Sequence, residues 1–252
     1  MRERRARLRQ ATALAVVLAA WETAARRHWL APVMPAPSAV ARALLALARD
    51  GSLFRDALAS VERVIVGFSA AAVAGVGLAA LLARSEPLAD CLVPLIELLR
   101  PISVIAWVPI AVLWFGIGDG SAWFVIFIGG FFAVFTNAFA GFRSVARAHV
   151  EAARCLGAGP LLFVREVLWP SALPHILTGL RIGSGTAWTA VIAAELISGR
   201  SGLGYMIELS RMMIETENVL AGMIVIGLIG LAMNAGFVWL EGRLIPWREE
   251  RT

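Results

Sequence analysis

Apolar residues along this chain come in long blocks that short polar segments separate. Five blocks cover residues 61–83, 88–115, 121–141, 176–198 and 219–240. Each block has about the length that a helix needs to cross the ~30 Å hydrocarbon layer of a bilayer. A shorter apolar stretch, residues 11–21, follows an arginine-rich head. The pattern predicts an all-α, polytopic membrane bundle of six transmembrane helices, the first over residues 8–27.

The first apolar stretch has two interpretations. A charged head, a short apolar middle and the small residues Thr23-Ala24-Ala25 are also typical of a cleaved signal peptide. We favour a retained helix over residues 8–27 with its charged ends at the membrane interfaces. Cleavage would leave five spans and would not change the topology of the others.

The segment between the first two spans is predicted to lie outside, on the membrane surface. Prolines cluster at its start, and Ser38 is a candidate N-cap for a short amphipathic helix that ends near Gly51. We expect one transmembrane domain over residues 1–252. Residues 1–60 then hold the first span and the external segment, and residues 61–240 form a five-helix transport core.

One block should not form a straight helix. Residues 88–115 contain Pro94, Pro101 and Pro109. Proline removes a backbone hydrogen bond and clashes with the preceding turn, so this span should be kinked or broken.

Composition supports the membrane interpretation. Hydrophobic residues make up 59% of the 252 residues and charged residues 16%, and the mean hydropathy is +0.76. Soluble domains carry roughly 25% charged residues, so this apolar excess does not fit one soluble core. The net charge is +5. The basic residues, all arginines, lie mainly between the apolar blocks, as membrane topology requires and a nucleic-acid-binding patch does not.

Arginine placement also predicts the orientation. With the N-terminus inside, the inner segments 1–10, 84–87, 142–175 and 241–252 hold 13 Arg in 60 residues. The outer segments 26–63, 114–121 and 199–217 hold 8 Arg in 65 residues. The positive-inside rule therefore places both termini in the cytoplasm.

The inner segment 142–175 is too long for a simple connection in a compact bundle. Its sequence predicts two short helices, the first from about residue 145 to 156, with Gly157 at its end. The second begins at Pro160 and stops before Pro170. A short apolar helix on a turn is typical of a docking element. The alternative is a helix that lies among the lipid headgroups.

This segment carries a family signature. Glu151-Ala152-Ala153, three residues, Gly157, nine residues, Val167 and then Pro170 resemble the E-A-A-x3-G-x9-I-x-L-P motif of permease subunits of binding-protein-dependent ABC importers. Trp169 stands where the family has Leu. Further stretches resemble the nitrate, sulfonate and taurine branch: residues 99–102, 106–109, 113–120, 179–181, 187–188, 194–196 and 202–204.

The resemblance implies a non-catalytic permease in a bacterial inner membrane. It implies that two copies form the pathway for a small solute, an anion such as a sulfonate, taurine or nitrate. A pair of cytosolic ATPase subunits would use the ATP, an extracytoplasmic binding protein would deliver the solute, and this chain would bind no cofactor. The residues implied to couple the ATPase to transport are Glu151, Ala152, Ala153, Gly157, Val167 and Pro170.

The residues themselves fit that division of labour. A phosphate-binding P-loop needs Lys, and this chain has none. No convergent set of catalytic groups stands out, and Cys91, Cys155 and the three histidines lie apart without metal-ligand spacing. The alternative function is a channel or secondary carrier that works without an ATPase. Such carriers often show internal repeats, and none is visible here.

Charges inside spans need a partner or water. Glu97 and Arg100, three residues apart, should pair on one helical face, or Arg100 faces the pathway and attracts an anion. Glu195 is either a gate residue or a carboxylate that binds the turn at residues 199–204. Arg181 is expected to snorkel towards the inner interface.

Small and polar residues within the spans leave questions open. Gly179, Gly183 and Ala187 recur every four residues, which allows close helix packing either inside one chain or between two copies. Thr136 and Asn137 are expected to bond to a neighbouring helix. A row of phenylalanines in the same span, Phe127, Phe131 and Phe135, should face lipid or the core.

Overall fold

The computed structural model describes residues 2–27 and 34–245. Its helices are α1 Arg2–Arg26, α2 Pro37–Arg49, α3 Ser52–Arg84, α4 Glu86–Leu99, α5 Val108–Phe115, α6 Asp119–Arg143, α7 Arg147–Cys155, α8 Pro160–Phe163, α9 Trp169–Ser198, α10 Leu203–Met212 and α11 Thr216–Leu244. A 3₁₀ turn, Val104–Trp107, leads into α5, and a π-helical turn, Val164–Leu168, joins α8 to α9. The described residues contain no strand, so the predicted all-α class is confirmed.

Three helices of the described part, α3, α6 and α11, are long and apolar enough to cross a membrane. The helices on either side of residues 100–103 meet at 93°, and together they are apolar and long enough for either a broken fourth span or a re-entrant loop. The expected break in the block at residues 88–115 is therefore confirmed, beside Pro101. Helices α1 and α9 contain 25 and 30 residues but are less apolar, and the count of six spans stays a prediction.

Helix α6 packs between α3 and α9, and glycines bring these helices close. A Cβ on Gly179 would lie 2.8 Å from Asn137 Cβ, and one on Gly183 would lie 2.8 Å from Val134 Cγ2. Ala187, on the same face of α9, is fully buried. These three small residues therefore serve packing inside the chain, which answers the question that the sequence left open.

Two apolar clusters fill the bundle, one towards each end. The first includes Val64, Val108, Ile126, Val191 and Leu203. The second includes Leu82, Phe135, Phe142 and Ile176. The phenylalanine row belongs to the core. The rings of Phe131 and Phe139 stack on the buried ring of Phe135 with centroids 5.9 and 5.7 Å away.

Helix α2 begins differently from the prediction. Pro37 occupies its first turn and extended Ala36 is the N-cap, so Ser38 is not the cap. The Ser38 backbone N–H and hydroxyl instead donate to the Glu22 carboxylate at 3.0 and 2.8 Å. A carboxylate from α1 thus satisfies the free N–H groups that an N-cap side chain would normally take. The helix ends at Arg49, and Gly51 follows with φ 78°.

The second loop helix does not stop before Pro170, as the sequence predicted. It begins at Pro160 but continues through the π-helical turn into α9, which contains both Pro170 and Pro174. A π turn inserts an extra residue into the helix, which changes the hydrogen-bond register where Pro170 lacks an N–H. The chain can therefore stay helical through a residue that normally ends a helix.

The prediction for the polar residues of α6 was also wrong. The Thr136 hydroxyl donates to Phe132 O at 2.8 Å, and Asn137 Nδ2 donates to Ala133 O at 2.8 Å. Both acceptors lie one turn earlier in the same helix. Bonding back to the i−4 carbonyl satisfies a polar side chain inside a membrane helix without a partner helix.

Candidate functional site

The loop between α6 and α9 forms a compact turn of two helices. Gly157 adopts φ 70° directly after α7, and Ala158 N donates to Ala153 O at 2.9 Å. This is the bond of a Schellman motif, in which a residue in the left-handed region ends the helix. Gly157 therefore ends α7 as predicted, and it sets the direction in which the chain enters α8.

The tip of this turn is apolar and open to solvent. Leu156 and Leu161 are 87% and 83% exposed, and Leu162 is half exposed. Beside them lies a groove of about 430 Å³, lined by His149, Ala152, Ala153, Leu156, Ala158, Leu162, Glu166, Val167 and Ser171. Large apolar side chains in such numbers at a helical turn mark a surface that another surface covers.

The structure brings most of the signature residues together. Ala152, Ala153 and Val167 line the same groove. Pro170 lines a neighbouring groove of about 370 Å³ that shares His149 and Ser171 with the first. Glu151 is exposed on α7 and does not line either groove. Ala152, Ala153, Val167 and Pro170, which the signature spaces along the sequence, thus lie around two adjoining grooves on one surface.

Trp169, where the family signature has Leu, fits this surface. Its ring lies 6.1 Å from that of Phe142 at the end of α6, and the side chain is about half exposed. The larger residue therefore covers the end of α6 and extends the second apolar cluster towards the loop.

We call the end of the bundle that carries α7 and α8 the loop end, and the opposite end, which carries α10, the α10 end. A buried charge network lies at the α10 end. Arg63 NH1 donates to Glu195 Oε1 at 2.7 Å, and Arg63 Nε donates to Asp119 Oδ1 at 2.7 Å. The side chains of Glu195 and Arg63 are only 1% and 10% exposed. Three helices, α3, α6 and α9, are joined by this network.

The turn between α9 and α10 wraps around the same carboxylate. Gly204 N donates to Glu195 Oε2 at 2.9 Å, and Ser60 Oγ lies 2.9 Å from both carboxylate oxygens. Gly202 has φ 105°, and a Cβ there would lie 2.3 Å from Glu195 Oε1. Glu195 thus binds the turn at residues 199–204, one of the two roles considered, and it is enclosed by protein on all sides.

Sequence reasoning named Glu195 but missed its partners. Ser60 and Arg63 lie 135 and 132 residues from Glu195, and Asp119 lies 56 residues from Arg63. The available signals were that a carboxylate inside a span needs a cation and that Arg63 lies near the start of the apolar block at residues 61–83. Nothing in the spacing paired the two.

The remaining charged candidates are paired within the described residues. Arg100 NH1 lies 3.3 Å from Glu97 Oε2, with both side chains about half exposed, so the expected pair forms. Arg181 Nε donates to Asn234 Oδ1 at 2.9 Å, and its NH1 lies 3.8 Å from Glu241 Oε2. Arg181 is thus held against α11.

Long apolar helices, a sharp break at residues 100–103 and an exposed helical turn at one end are the features of a polytopic membrane protein. A chain of the inward-facing MetNI methionine ABC transporter shares this fold with a TM-score of 0.68 at 18% identity, over 77% of this chain and 96% of that chain. An amino acid ABC transporter structure gives 0.61 at 20% identity, over 79% and 95%.

The family itself is shown by sequence. The family described as "Binding-protein-dependent transport system inner membrane component" matches residues 71–249, and the chain belongs to it. The chain is 37% identical to the taurine transport system permease protein TauC of Escherichia coli, over 94% of this chain and 88% of that protein. It is 32% identical to the nitrate import permease protein NrtB of Synechocystis, over 95% and 90%. The protein is therefore a non-catalytic permease of the inner membrane.

Proposed function

We propose that two copies of this permease form the pathway of an ATP-driven importer for a small anion, such as a sulfonate, taurine or nitrate. Relatives named for taurine and for nitrate import, matched over nine-tenths of this chain, support the solute class. A binding protein delivers the solute at the α10 end. Cytosolic ATPase subunits bind the loop end, so both termini are cytoplasmic.

The exposed apolar tip of the α7–α8 turn carries this proposal. Leu156 and Leu161 stand in solvent beside a groove lined by Ala152, Ala153 and Val167. Small residues on the groove wall allow a partner surface to approach closely. Glu151, exposed on the same helix, supplies a charge that orients the partner. The headgroup alternative has no use for a groove or for that charge.

Substitution of Gly157 tests this proposal, because the backbone conformation restricts which residue can replace it and the space around it does not. Its φ of 70° disfavours any β-branched residue, but a Cβ there would meet no atom within 4 Å. Asn tolerates the left-handed region and Val does not. Gly157→Val therefore changes the turn, and Gly157→Asn is a control of similar size that keeps it.

The experiment measures uptake and ATP hydrolysis by the complete transporter in lipid vesicles. Gly157→Val should lose most solute uptake per ATP hydrolysed, whereas Gly157→Asn should stay close to the parent. Glu151→Lys should uncouple in the same way without preventing membrane insertion. Normal uptake in both Gly157→Val and Glu151→Lys would show that this turn does not couple the ATPase to transport.

Glu195 and Arg100 complete the proposal. Glu195 holds the turn to α10 in place, since its carboxylate accepts hydrogen bonds from Gly204 N and Arg63 NH1. Arg100 lies at the end of α4 beside the sharp bend, half exposed. There it attracts an anionic solute while Glu97 balances its charge.

A further inference from the structure

The exposed faces of two long helices differ in polarity. Between Gly179 and Ala190, the exposed residues of α9 are Arg181, Ile182, Gly185, Thr186 and Thr189. We call these five residues the α9 stripe. Over residues 223–239, the large exposed side chains of α11 are those of Met223, Ile224, Leu228, Leu231, Val238 and Trp239, and its exposed polar residue in this stretch, Asn234, accepts a hydrogen bond from Arg181. A charged group is costly in hydrocarbon. The Thr186 and Thr189 hydroxyls donate to backbone carbonyls of the chain, so Arg181 is the residue of the stripe that lipid tails would not accommodate. Helix α11 has the composition of a lipid-facing helix, and the α9 stripe does not.

Gly185 has no packing role inside the chain. A Cβ on Gly185 would meet no atom within 4 Å, whereas one on Gly183, on the opposite face of α9, would lie 2.8 Å from Val134 Cγ2. Gly183 is required by the close contact with α6. Because it has no side chain, Gly185 leaves free space at the surface of the stripe, one helical turn from Arg181.

The Arg181 side chain lies close enough to this space to contact a ligand in it. Its side chain is 42% exposed, and Nε is fixed by Asn234 Oδ1 at 2.9 Å. Arg181 NH1 also forms an ion pair with Glu241 Oε2 at 3.8 Å, a separation too long for a hydrogen bond. Within the described residues, the guanidinium is therefore held in position by one hydrogen bond and one ion pair, and its exposed N–H groups can still donate to an anion.

We propose that the α9 stripe lines the aqueous path through the bilayer and that Arg181 attracts the negatively charged group of the solute there. This inference rests on the proposed function, since it takes an anion-importing permease as given. Gly185 and Thr189 lie about 6 and 12 Å further from the loop end than Arg181, at ~1.5 Å per residue. An anion that moves towards the loop end passes both before it reaches Arg181.

Cysteine labelling in the complete transporter tests the path. Cys91 and Cys155, both exposed, are first replaced by Ser. Single cysteines are then introduced as Gly185→Cys and Thr189→Cys, with Leu228→Cys as the matched control on the exposed face of α11. Inverted membrane vesicles are treated with an anionic or a cationic thiosulfonate reagent, neither of which crosses lipid. Each rate is normalised to the reaction of that reagent with a free small thiol.

We expect labelling of Gly185→Cys and Thr189→Cys but not of Leu228→Cys. The anionic reagent should react on the order of tenfold faster than the cationic one, because a positive charge lies within about two turns of each site. Arg181→Gln should remove that preference and leave the labelling itself. Equal rates for the two reagents with Arg181 present would overturn its role.

Two further outcomes would overturn the path. One is the absence of labelling at both positions. The other is a disulfide between two copies through Gly185→Cys, which would show that a second copy covers the stripe. Solute-stimulated ATP hydrolysis by the same vesicles distinguishes a failure of this inference from a failure of the proposed function. An unlabelled but active transporter contradicts this inference alone, whereas a labelled chain without an ATPase contradicts the proposed function.

Discussion

Arg63 and Glu195 lie 132 residues apart in the sequence, and Arg63 NH1 donates to Glu195 Oε1 at 2.7 Å. Their side chains are almost closed to solvent. The same guanidinium binds Asp119 at the start of α6. The three core helices are thus held by a charge network at the α10 end and by small residues along their length. Each buried charge depends on its partner, since an unpaired one would stay desolvated.

Removing the cation from this network should destabilise the protein strongly. Arg63→Met leaves the Glu195 carboxylate buried without a counter-charge, which costs about 3–5 kcal/mol in comparable buried pairs. We expect a large fall in the melting temperature of the detergent-purified complex, followed by intrinsic tryptophan fluorescence.

Glu195→Gln provides the comparison for that prediction. The neutral amide keeps its contacts with Ser60 and Arg63 and leaves Arg63 paired with Asp119. It should therefore lower the melting temperature less than Arg63→Met does. An Arg63→Met complex as stable as the parent would show that the pair does not hold the α10 end together.

Gly202 is predicted to tolerate no side chain. A Cβ on Gly202 would lie 2.3 Å from Glu195 Oε1, and its φ of 105° is one that L residues rarely adopt. Gly202→Ala should displace the carboxylate from the turn and reduce the amount of folded protein in the membrane. Gly236→Ala is the matched control, because a Cβ there meets nothing within 4 Å. Equal membrane levels for the two variants would contradict the geometry of the turn.

The α6–α9 contact predicts a contrast between two glycines of one helix. A Cβ on Gly183 would lie 2.8 Å from Val134 Cγ2 and 3.0 Å from Gly130 O. Overpacking of this kind typically costs 1–3 kcal/mol, so Gly183→Ala should lower the melting temperature. Gly185→Ala, which faces open space, should not lower it. If Gly185→Ala had the lower melting temperature, Gly185 rather than Gly183 would face α6, which would contradict the packing of α9.

Arg100 should affect transport without affecting stability. Its ion pair with Glu97 is half exposed and has a separation of 3.3 Å, a kind of pair that contributes about 0–1 kcal/mol. Arg100→Gln should therefore insert normally but take up an anionic solute more slowly when the solute is dilute. The measurement is initial uptake rate against solute concentration. Unchanged uptake at normal expression would exclude Arg100 from the pathway.

Helix content and approximate position were predictable because the bilayer dictates them. A hydrocarbon layer requires about twenty apolar residues, and the ends of α6 and α11 lie two to four residues beyond those of their apolar blocks. Helix α3 begins at Ser52, well before its block at residue 61. Apolarity marks the part of a helix that lipid or core covers, so it does not mark where the helix begins.

The contacts that complete the sites were not predictable from spacing. Arg63 on α3 can reach Glu195 on α9 because both helices pack closely on α6, through Gly67 and Gly129, and that packing is a property of the fold. Pro170 looked like a helix stop, since local rules exclude proline from helix interiors. A π turn one residue earlier removed that conflict, and nothing in the sequence of that turn indicates it. The position of Ala152, Ala153, Val167 and Pro170 around two adjoining grooves was predictable because these residues lie within twenty positions of one another.

Purification of the tagged chain from membranes in mild detergent tests the central claim, that this permease works with an ATPase bound at the α7–α8 turn. The account predicts that ATPase subunits elute with the chain and hydrolyse ATP, and that they no longer elute with it when the whole segment of residues 151–157 is replaced. A stable chain that elutes alone, even after cross-linking in intact cells, would contradict the account and favour a carrier that works without an ATPase.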